Sequence, residues 1–245
     1  IAHGKILSIN TSRALSSPGV IAIYTGEDVK EFNGPIAGWQ VDFINGDSMK
    51  EPKHPLLVSD KVRHLGDGVA MILAETEEQA EDAITLVDVE YEELSAVTDP
   101  SESLKPGAPL VHDDVQGNKI FDWQLGDKDK TDQAIANAEH VTKLEIRNQR
   151  LVPNAIEPRS AVCTYDSGID EYTLYTTSQN PQLTRLVLCA FSMGIPENKV
   201  KVIAPDVGGG FGSKIFHYTE EALILWASKK IDRPVKWTAN RSESF

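Results

Sequence analysis

The pattern of hydrophobic and polar residues predicts a chain of alternating strands and helices. A continuous apolar run predicts a buried strand at residues 69–74, because a strand covered on both faces is apolar throughout. Elsewhere apolar and polar residues alternate with the period of a half-buried strand. Such strands are predicted at residues 6–10, 20–24, 87–91, 141–146, 161–165, 172–176, 199–203 and 235–237.

Capping residues and helical spacing predict the helices. A capping box at residues 76–79 starts one helix, and a short helix is expected at 131–138. Asn180 before Pro181 starts another helix, and Thr219 caps one that runs to Lys230. Two apolar helix faces are predicted: Ala80, Ala83, Ile84 and Val87 on the first helix, and Leu183, Leu186, Val187, Ala190 and Phe191 on the second.

The order of these elements predicts the fold class and its division. Strands and helices are mixed throughout, which is typical of an α/β (α+β) protein. A small mixed domain is expected at residues 1–95 and a second domain at residues 122–245. Proline and glycine recur between them, so residues 96–121 are predicted to be a linker.

The most distinctive stretch is the glycine segment, residues 208–212, which lies between a predicted strand and a predicted helix. Closely spaced glycines allow the backbone to approach a ligand, and their N–H groups can bind anionic oxygens. A Walker loop is disfavoured because Lys214 precedes Ile215 rather than serine or threonine. The dinucleotide fingerprint lacks a glycine at Ser213, and it remains an alternative.

Composition excludes several classes of function. The 245 residues carry a formal net charge of −13, which opposes binding to nucleic acids. No apolar run is long enough to predict a membrane span. Only Cys163 and Cys189 are present, so iron–sulfur ligation within this chain is not expected. Both are interpreted as free core thiols, which favours a cytoplasmic location.

Other polar residues have simple structural interpretations. None of the six histidines has metal-ligand spacing to another, although His217 lies just after the glycine segment. Glu157 and Arg159 flank a proline and are predicted to form a partly buried ion pair. The acidic pairs at residues 77–78 and 220–221 suit the first turns of helices. Gln179 is expected at the mouth between a strand and a helix, where α/β proteins bind ligands.

Taken together, the motifs resemble those of a known family. Residues 208–214 (GGGFGSK), with 177–181 (TSQNP) and 154–159 (NAIEPR), resemble the large subunit of molybdenum hydroxylases, which comprise xanthine dehydrogenase, aldehyde oxidase and aerobic carbon monoxide dehydrogenase. Residues 17–28 and 75–83 are similar to the α/β hammerhead domain of that family. The resemblance covers nearly the whole chain and implies a hammerhead-like domain followed by the first part of a molybdopterin-binding domain.

The resemblance also implies site residues and cofactors. Gly208, Gly209, Gly210, Phe211 and Gly212 would lie against molybdopterin, expected in its cytosine dinucleotide form. The amide of Gln179 would hydrogen-bond an oxygen ligand of molybdenum, and the pterin rather than a side chain would hold the metal. Water would supply the oxygen for substrate hydroxylation, and electrons would leave through iron–sulfur clusters and FAD on partner subunits.

One departure from the family pattern bears on the substrate. Purine-oxidising members carry a glutamate after the motif lysine, whereas Ile215 follows Lys214 here. This favours the carbon monoxide dehydrogenase-type branch, and so an aldehyde, an N-heterocycle or carbon monoxide as substrate. The family's catalytic glutamate would lie beyond residue 245, so this chain alone is expected to be inactive without the remainder of the large subunit. A nicotinamide-dinucleotide enzyme and a structural subunit without chemistry remain the alternatives.

Overall fold

The computed structural model describes residues 1–149 and 151–244, and it has the predicted mixture of strands and helices. The strands are β1 Gly4–Asn10, β2 Val20–Thr25, β3 Lys61–Val62, β4 Ala70–Ala74, β5 Asp88–Glu93, β6 Ser160–Asp166, β7 Glu171–Thr176, β8 Val200–Ile203 and β9 Val235–Thr238. The α-helices are α1 Ser12–Leu15, α2 Glu77–Ile84, α3 Pro100–Ser103, α4 Lys128–Ala136, α5 Pro181–Val187 and α6 Thr219–Ile231. None of the described helices is long and apolar enough to cross a membrane.

The N-terminal part contains two small sheets. Strands β3, β1 and β5 form one antiparallel sheet in that order, and β2 pairs with β4 in an antiparallel ribbon. Helix α2 starts as predicted: Gln79 N–H donates to Thr76 Oγ1 at 3.3 Å, and Thr76 N–H donates to Gln79 Oε1 at 3.2 Å. This reciprocal capping satisfies two donors that a helix N-terminus otherwise leaves unpaired.

The C-terminal part is built on a four-stranded sheet with the order β8-β7-β6-β9. Strands β7 and β8 are parallel, whereas β6 is antiparallel to both of its neighbours. Helix α6 packs against β6, and its residues Ala222 to Leu225 and Ala227 are buried. Its N-cap is Tyr218, so Thr219 is the first helical residue rather than the predicted cap.

The two parts share one hydrophobic core. Val29 and Leu73 from the first part belong to the same buried cluster as Leu174 and Leu225 from the second. The Tyr24 ring also meets the Trp226 ring edge-on, with 4.6 Å between centroids. Polar contacts reinforce this packing, since Arg233 and Glu75 form a bidentate ion pair at 2.9–3.0 Å. Both parts of the chain therefore contribute to one packed core.

The structure adds detail to two segments of the sequence prediction. Residues 141–146 form no strand, because they are exposed and pair with none of the described strands. The predicted linker contains α3 and a short 3₁₀ turn, Gln116–Asn118, and its Val115 is only 3% exposed. An ion pair between Lys61 and Asp113 at 2.7 Å also holds this segment, so the connection between the two parts is ordered.

The apolar face predicted for the helix after Asn180 is also wrong. Leu183, Leu186 and Phe191 are each more than a third exposed. The α-helix gives way to a π-helical segment, Leu188–Met193, and the change of helical period turns Leu188, Cys189 and Met193 into the core instead. On α2, Ala83 is buried as predicted, but Ile84 is 60% exposed.

Candidate functional site

The glycine segment lies in the long connection between β8 and α6, residues 204–218. Gly209 and Gly212 have φ angles of +95° and +98°, which side chains rarely tolerate. Phe211 also adopts a positive φ of 51°, and its side chain is 76% exposed. The backbone thus folds sharply and presents one aromatic ring to the outside.

The backbone donors of this segment divide into two groups. Gly208 N–H donates to Glu157 Oε2 at 2.7 Å, and Gly212 N–H donates to Gln179 Oε1 at 2.9 Å. Between them, the N–H groups of Gly209, Gly210 and Phe211 have no hydrogen-bond partner within residues 1–149 and 151–244. Three successive unpaired donors suit a ligand with carbonyl or anionic oxygens.

Gln179 follows β7 and contacts the glycine segment through both its backbone and its side chain. Its N–H donates to the Lys214 carbonyl at 2.8 Å. Its Oε1 accepts from the N–H groups of Gly212, at 2.9 Å, and Lys214, at 3.3 Å. Because only the amide oxygen can accept these bonds, they fix the orientation of the amide. The Nε2 group has no partner among the described residues, so its two donors can bind a ligand.

The lack of a side chain at Gly210 allows the Gln179 side chain to lie directly against the glycine segment. The φ of Gly210 is not positive, so backbone conformation does not require glycine there. A Cβ at this position would instead lie 2.2 Å from Gln179 Oε1, well inside van der Waals contact. The glutamine side chain therefore occupies the space that a side chain at residue 210 would need.

The predicted ion pair between Glu157 and Arg159 is not formed. Glu157 pairs with Lys214, with 2.8 Å between Nζ and Oε2, and Arg159 pairs with Glu220 at 3.2–3.3 Å. The two residues have separate partners because the chain on either side of Pro158 meets different elements. The hydrogen bond from Lys214 is the main reason that the pKa of the Glu157 carboxyl lies below its ordinary value.

A buried polar cluster lies beneath the start of α6. Glu221 accepts hydrogen bonds from Thr176 Oγ1, at 2.6 Å, and from Tyr218 N–H, at 3.2 Å, and its Oε2 lies 2.8 Å from His217 Nδ1. From the sequence, the interaction with the helix macrodipole is the only explanation for acidic residues at 220 and 221. In the structure, Glu221 also has three specific polar partners, Thr176, His217 and Tyr218. The side chain of His217 is buried in this cluster, which supports its structural interpretation.

Sequence reasoning missed two residues that support the site. Arg241 donates to the carbonyls of Ala155, at 2.6 Å, and Ile156, at 2.5 Å, and so holds the segment before Glu157. The glycine motif contains Lys214 but does not indicate that its side chain is buried, at 1% exposure. A lysine in a turn has no sequence signal for burial, and the partners of both residues are far away along the chain.

The cysteines are buried core thiols, as predicted, and the described residues contain no cluster of metal ligands. Cys163 and Cys189 are free and buried, and burial raises the pKa of each thiol to about 11. Such thiols are protonated and unreactive at neutral pH. Within the part of the chain that the structure describes, no group of three His, Cys, Asp or Glu residues could hold a metal ion.

Comparison with known proteins identifies the architecture. Residues 1–95 match the aldehyde oxidase and xanthine dehydrogenase a/b hammerhead domain, and residues 111–245 match the molybdopterin cofactor-binding domain. The chain belongs to the molybdenum hydroxylase family. This confirms the resemblance and the fold that were inferred from the motifs, a hammerhead domain followed by a molybdopterin-binding domain.

Individual members of the molybdenum hydroxylase family align with the whole chain. The carbon monoxide dehydrogenase large chain of Hydrogenophaga pseudoflava is 37% identical over 100% of this chain and 31% of the relative. The nicotine 6-hydroxylase large subunit of Paenarthrobacter nicotinovorans is 34% identical over 100% of this chain and 29% of the relative. The crystal structure of quinoline 2-oxidoreductase from Pseudomonas putida 86 superposes with a TM-score of 0.87, at 33% identity, over 99% of this chain and 30% of that one.

The described residues fit the cofactor of the molybdenum hydroxylase family. The unpaired N–H groups of residues 209–211 can bind oxygen atoms of a pterin or its phosphate. A Cβ at Gly212 would meet no atom within 4 Å, so the space beside that residue is open. The exposed Phe211 ring offers a flat apolar surface next to these donors. Unpaired N–H donors, open space beside Gly212 and an exposed aromatic ring thus occur together in one short segment.

Proposed function

We propose that this chain is the molybdopterin-binding portion of a molybdenum hydroxylase large subunit that oxidises a small molecule. Family membership supports the cofactor, and one observation carries the location of its site. Three unpaired N–H groups, at residues 209–211, lie in the same short segment whose Gly212 is bonded to Gln179. Since the chain spans about 30% of the length of the relatives it matches, the activity of the whole protein is part of the proposal.

The residues of the site have distinct proposed roles. Gly208 to Gly212 would hold the cofactor by close backbone approach, with the unpaired N–H groups of residues 209–211 as donors, and the Phe211 ring would offer it an apolar surface. Gln179 offers its Nε2 donors to the reacting end of the cofactor. When bound, the molybdenum cofactor supplies two-electron oxidation, with water as the source of oxygen. Because Gln179 is already oriented by Gly212 and Lys214, its donors need little reorganisation when a ligand arrives.

The substrate is proposed to be an aldehyde, an N-heterocycle or carbon monoxide. The names of the relatives include carbon monoxide dehydrogenase, nicotine 6-hydroxylase and quinoline 2-oxidoreductase. Ile215 stands directly after Lys214 and is 36% exposed. An aliphatic side chain there offers no hydrogen bond to a purine, which favours a less polar substrate.

The proposal extends to partners, domains and location. The remainder of the large subunit would cover the exposed apolar side chains near the site, which include Ile156 at 91%, Phe211 at 76% and Phe216 at 60% exposure. Iron–sulfur and FAD-containing subunits would accept the electrons. We further propose the cytosine dinucleotide form of the cofactor, a cytoplasmic location, and domains at residues 1–95 and 122–245 joined by residues 96–121. The two buried free thiols suit a reducing compartment.

The topology disfavours the nicotinamide alternative. A dinucleotide fingerprint requires a strand, a glycine turn and a helix that lead to an adjacent parallel strand. Here α6 leads from β8 to β9, and these strands are separated in the sheet by β7 and β6. Helix α6 also begins only at Thr219, seven residues after Gly212, so its N-terminus does not follow the glycines directly. The alternative therefore lacks the supporting geometry.

Elemental and cofactor analysis tests the proposed function. The complex containing this chain would be purified from its source and analysed for molybdenum and for the pterin by fluorescence. One molybdenum and one pterin per chain are expected, and replacement of Gln179 by alanine should lower turnover while the protein stays folded. A complete complex without molybdenum or pterin would favour a structural subunit, and saturable NAD binding would revive the nicotinamide alternative.

A further inference from the structure

Lys214 has a role that its place in the glycine motif does not explain. Its side chain is 1% exposed, and its Nζ donates to the Glu157 carbonyl at 2.9 Å and to Glu157 Oε2 at 2.8 Å. An ammonium group is costly to bury, so these two acceptors are needed to hold it inside the protein. Lys214 therefore does not offer its charge to the exposed side of the glycine segment.

The main chain of the same residue contacts Gln179. The Lys214 carbonyl accepts from Gln179 N–H at 2.8 Å, and the Lys214 N–H donates to Gln179 Oε1 at 3.3 Å. One residue thus bonds to Glu157 through its side chain and to Gln179 through its backbone. A displacement of Lys214 would move the glutamine amide directly.

Glu157 completes the connection on the other side of the glycine segment. Its Oε2 accepts from both Lys214 Nζ and Gly208 N–H, the latter at 2.7 Å. The Glu157 side chain also packs closely on Gly208, where a Cβ would lie 2.6 Å from the Glu157 Cβ. Gly208, the first glycine of the segment, and Lys214, two residues after the last glycine, therefore donate to the same carboxylate.

From these contacts we propose that Lys214 and Glu157 are positioning residues: a buried ammonium and a partly exposed carboxylate, 1% and 36% exposed, whose pairing sets the shape of the glycine segment and the direction of the Gln179 amide. This inference rests on the proposed function, because the object that is positioned is the cofactor-binding surface. Neither residue needs to touch the cofactor. Their effect would pass through Gly208 at one end of the segment and through Gln179 at the other.

The test compares cofactor content in the complete complex for matched variants. Lys214→Met removes the ammonium and keeps an unbranched side chain, and Lys229→Met is the control because Lys229 forms a half-exposed ion pair with Asp170 at 3.0 Å, away from the glycine segment. Molybdenum and pterin per chain should fall about tenfold in Lys214→Met, as is typical when a supporting residue of a metal site is lost. Lys229→Met should load like the wild type.

A double-mutant cycle separates positioning from general stability. If Lys214 acts through Gln179, the loss of turnover in Lys214→Met combined with Gln179→Ala should be no larger than that of the more affected single variant. Multiplied losses would mean independent effects and would overturn the inference. Glu157→Gln keeps the shape of Glu157 and one acceptor oxygen but removes its charge. It therefore serves if Lys214→Met does not fold, and it should show a smaller loss in the same direction.

The outcomes distinguish this inference from the proposed function. A wild-type complex with molybdenum and pterin, together with Lys214→Met and Glu157→Gln variants that load and turn over normally, would overturn the positioning role alone. A wild-type complex without molybdenum and pterin would overturn both. Faster hydrogen exchange at residues 208–212 in the Glu157→Gln variant, with unchanged exchange in helix α2, would support the positioning role without reference to activity.

Discussion

The two parts of the molecule use the same contact, a glutamine amide against a glycine, for different purposes. In the N-terminal part, a Cβ at Gly19 would lie 2.0 Å from Gln79 Oε1. In the C-terminal part, a Cβ at Gly210 would lie 2.2 Å from Gln179 Oε1. Each glutamine oxygen also accepts a backbone N–H, from Thr76 in the first case and from Gly212 in the second.

The difference between these contacts lies in what the glutamine holds. Gln79 bonds to a residue three positions away and closes a capping box at the start of α2. Gln179 bonds to a residue 33 positions away and joins the end of β7 to the glycine segment. The first contact stabilises one helix, whereas the second brings separate segments into one site. Substitutions at the first should therefore change stability, and substitutions at the second should change the site.

Replacement of each glutamine by glutamate should give the largest contrast. In Gln179→Glu the carboxylate still accepts from Gly212 and Lys214, but the Nε2 donors are lost, so turnover of the complete enzyme should fall about 100-fold, as on removal of a preorganised donor. Gln79→Glu keeps a residue that suits a capping box, and it should change the free energy of unfolding by less than about 0.5 kcal/mol. Steady-state kinetics and chemical denaturation measure the two effects. Equal turnover in both variants would contradict the role of the Gln179 donors.

Alanine at each glycine sharpens the same contrast. Gly210 has no positive φ, and its added methyl would meet the flexible end of Gln179, so Gly210→Ala should cost less than about 1 kcal/mol of stability while lowering turnover roughly tenfold. Gly19 has a φ of +80°, so Gly19→Ala should cost about 1–3 kcal/mol and leave the turnover of folded enzyme unchanged. Thermal unfolding and turnover would be measured on both. Normal turnover in a folded Gly210→Ala variant would show that the glutamine amide can move without consequence.

This contrast also explains how much could be predicted from the sequence. The capping box at Thr76 and the cap at Asn180 involve neighbours in the chain, and both were predicted. The glycine segment was recognised from its composition and its family motif. The pairing of Lys214 with Glu157 was not predicted, because the residues are 57 positions apart and their meeting depends on the sheet. The exposure of the apolar face of α5 was missed because a π-helical turn follows it without a sequence signal.

The pH dependence of the Glu157–Lys214 pair gives a weaker test of the C-terminal site. Pairing with Lys214 lowers the pKa of Glu157 in the folded protein, so the stabilisation is fully present above the ordinary glutamate pKa of about 4.3 and is lost as pH falls through the lower folded value. Glu157→Gln lacks this titration. The difference in unfolding free energy between wild type and Glu157→Gln should therefore be largest near neutral pH and shrink below about pH 4. A difference that stays constant from pH 7 to pH 3 would mean that the charge of Glu157 contributes nothing.

The helix caps should give the smallest and most similar effects in the two parts. Thr76 takes part in two hydrogen bonds of a capping box, so Thr76→Ala should cost about 1 kcal/mol of unfolding free energy. Asn180 Oδ1 accepts one longer bond, 3.4 Å from Leu183 N, and Asn180→Ala should cost about 0.5 kcal/mol. Although Asn180 adjoins Gln179, its replacement should leave molybdenum content unchanged, because the Gln179 backbone is held by Lys214 rather than by the cap. A fall in metal content in Asn180→Ala would assign part of the positioning of Gln179 to the helix, and would reduce the share that belongs to the Glu157–Lys214 pair.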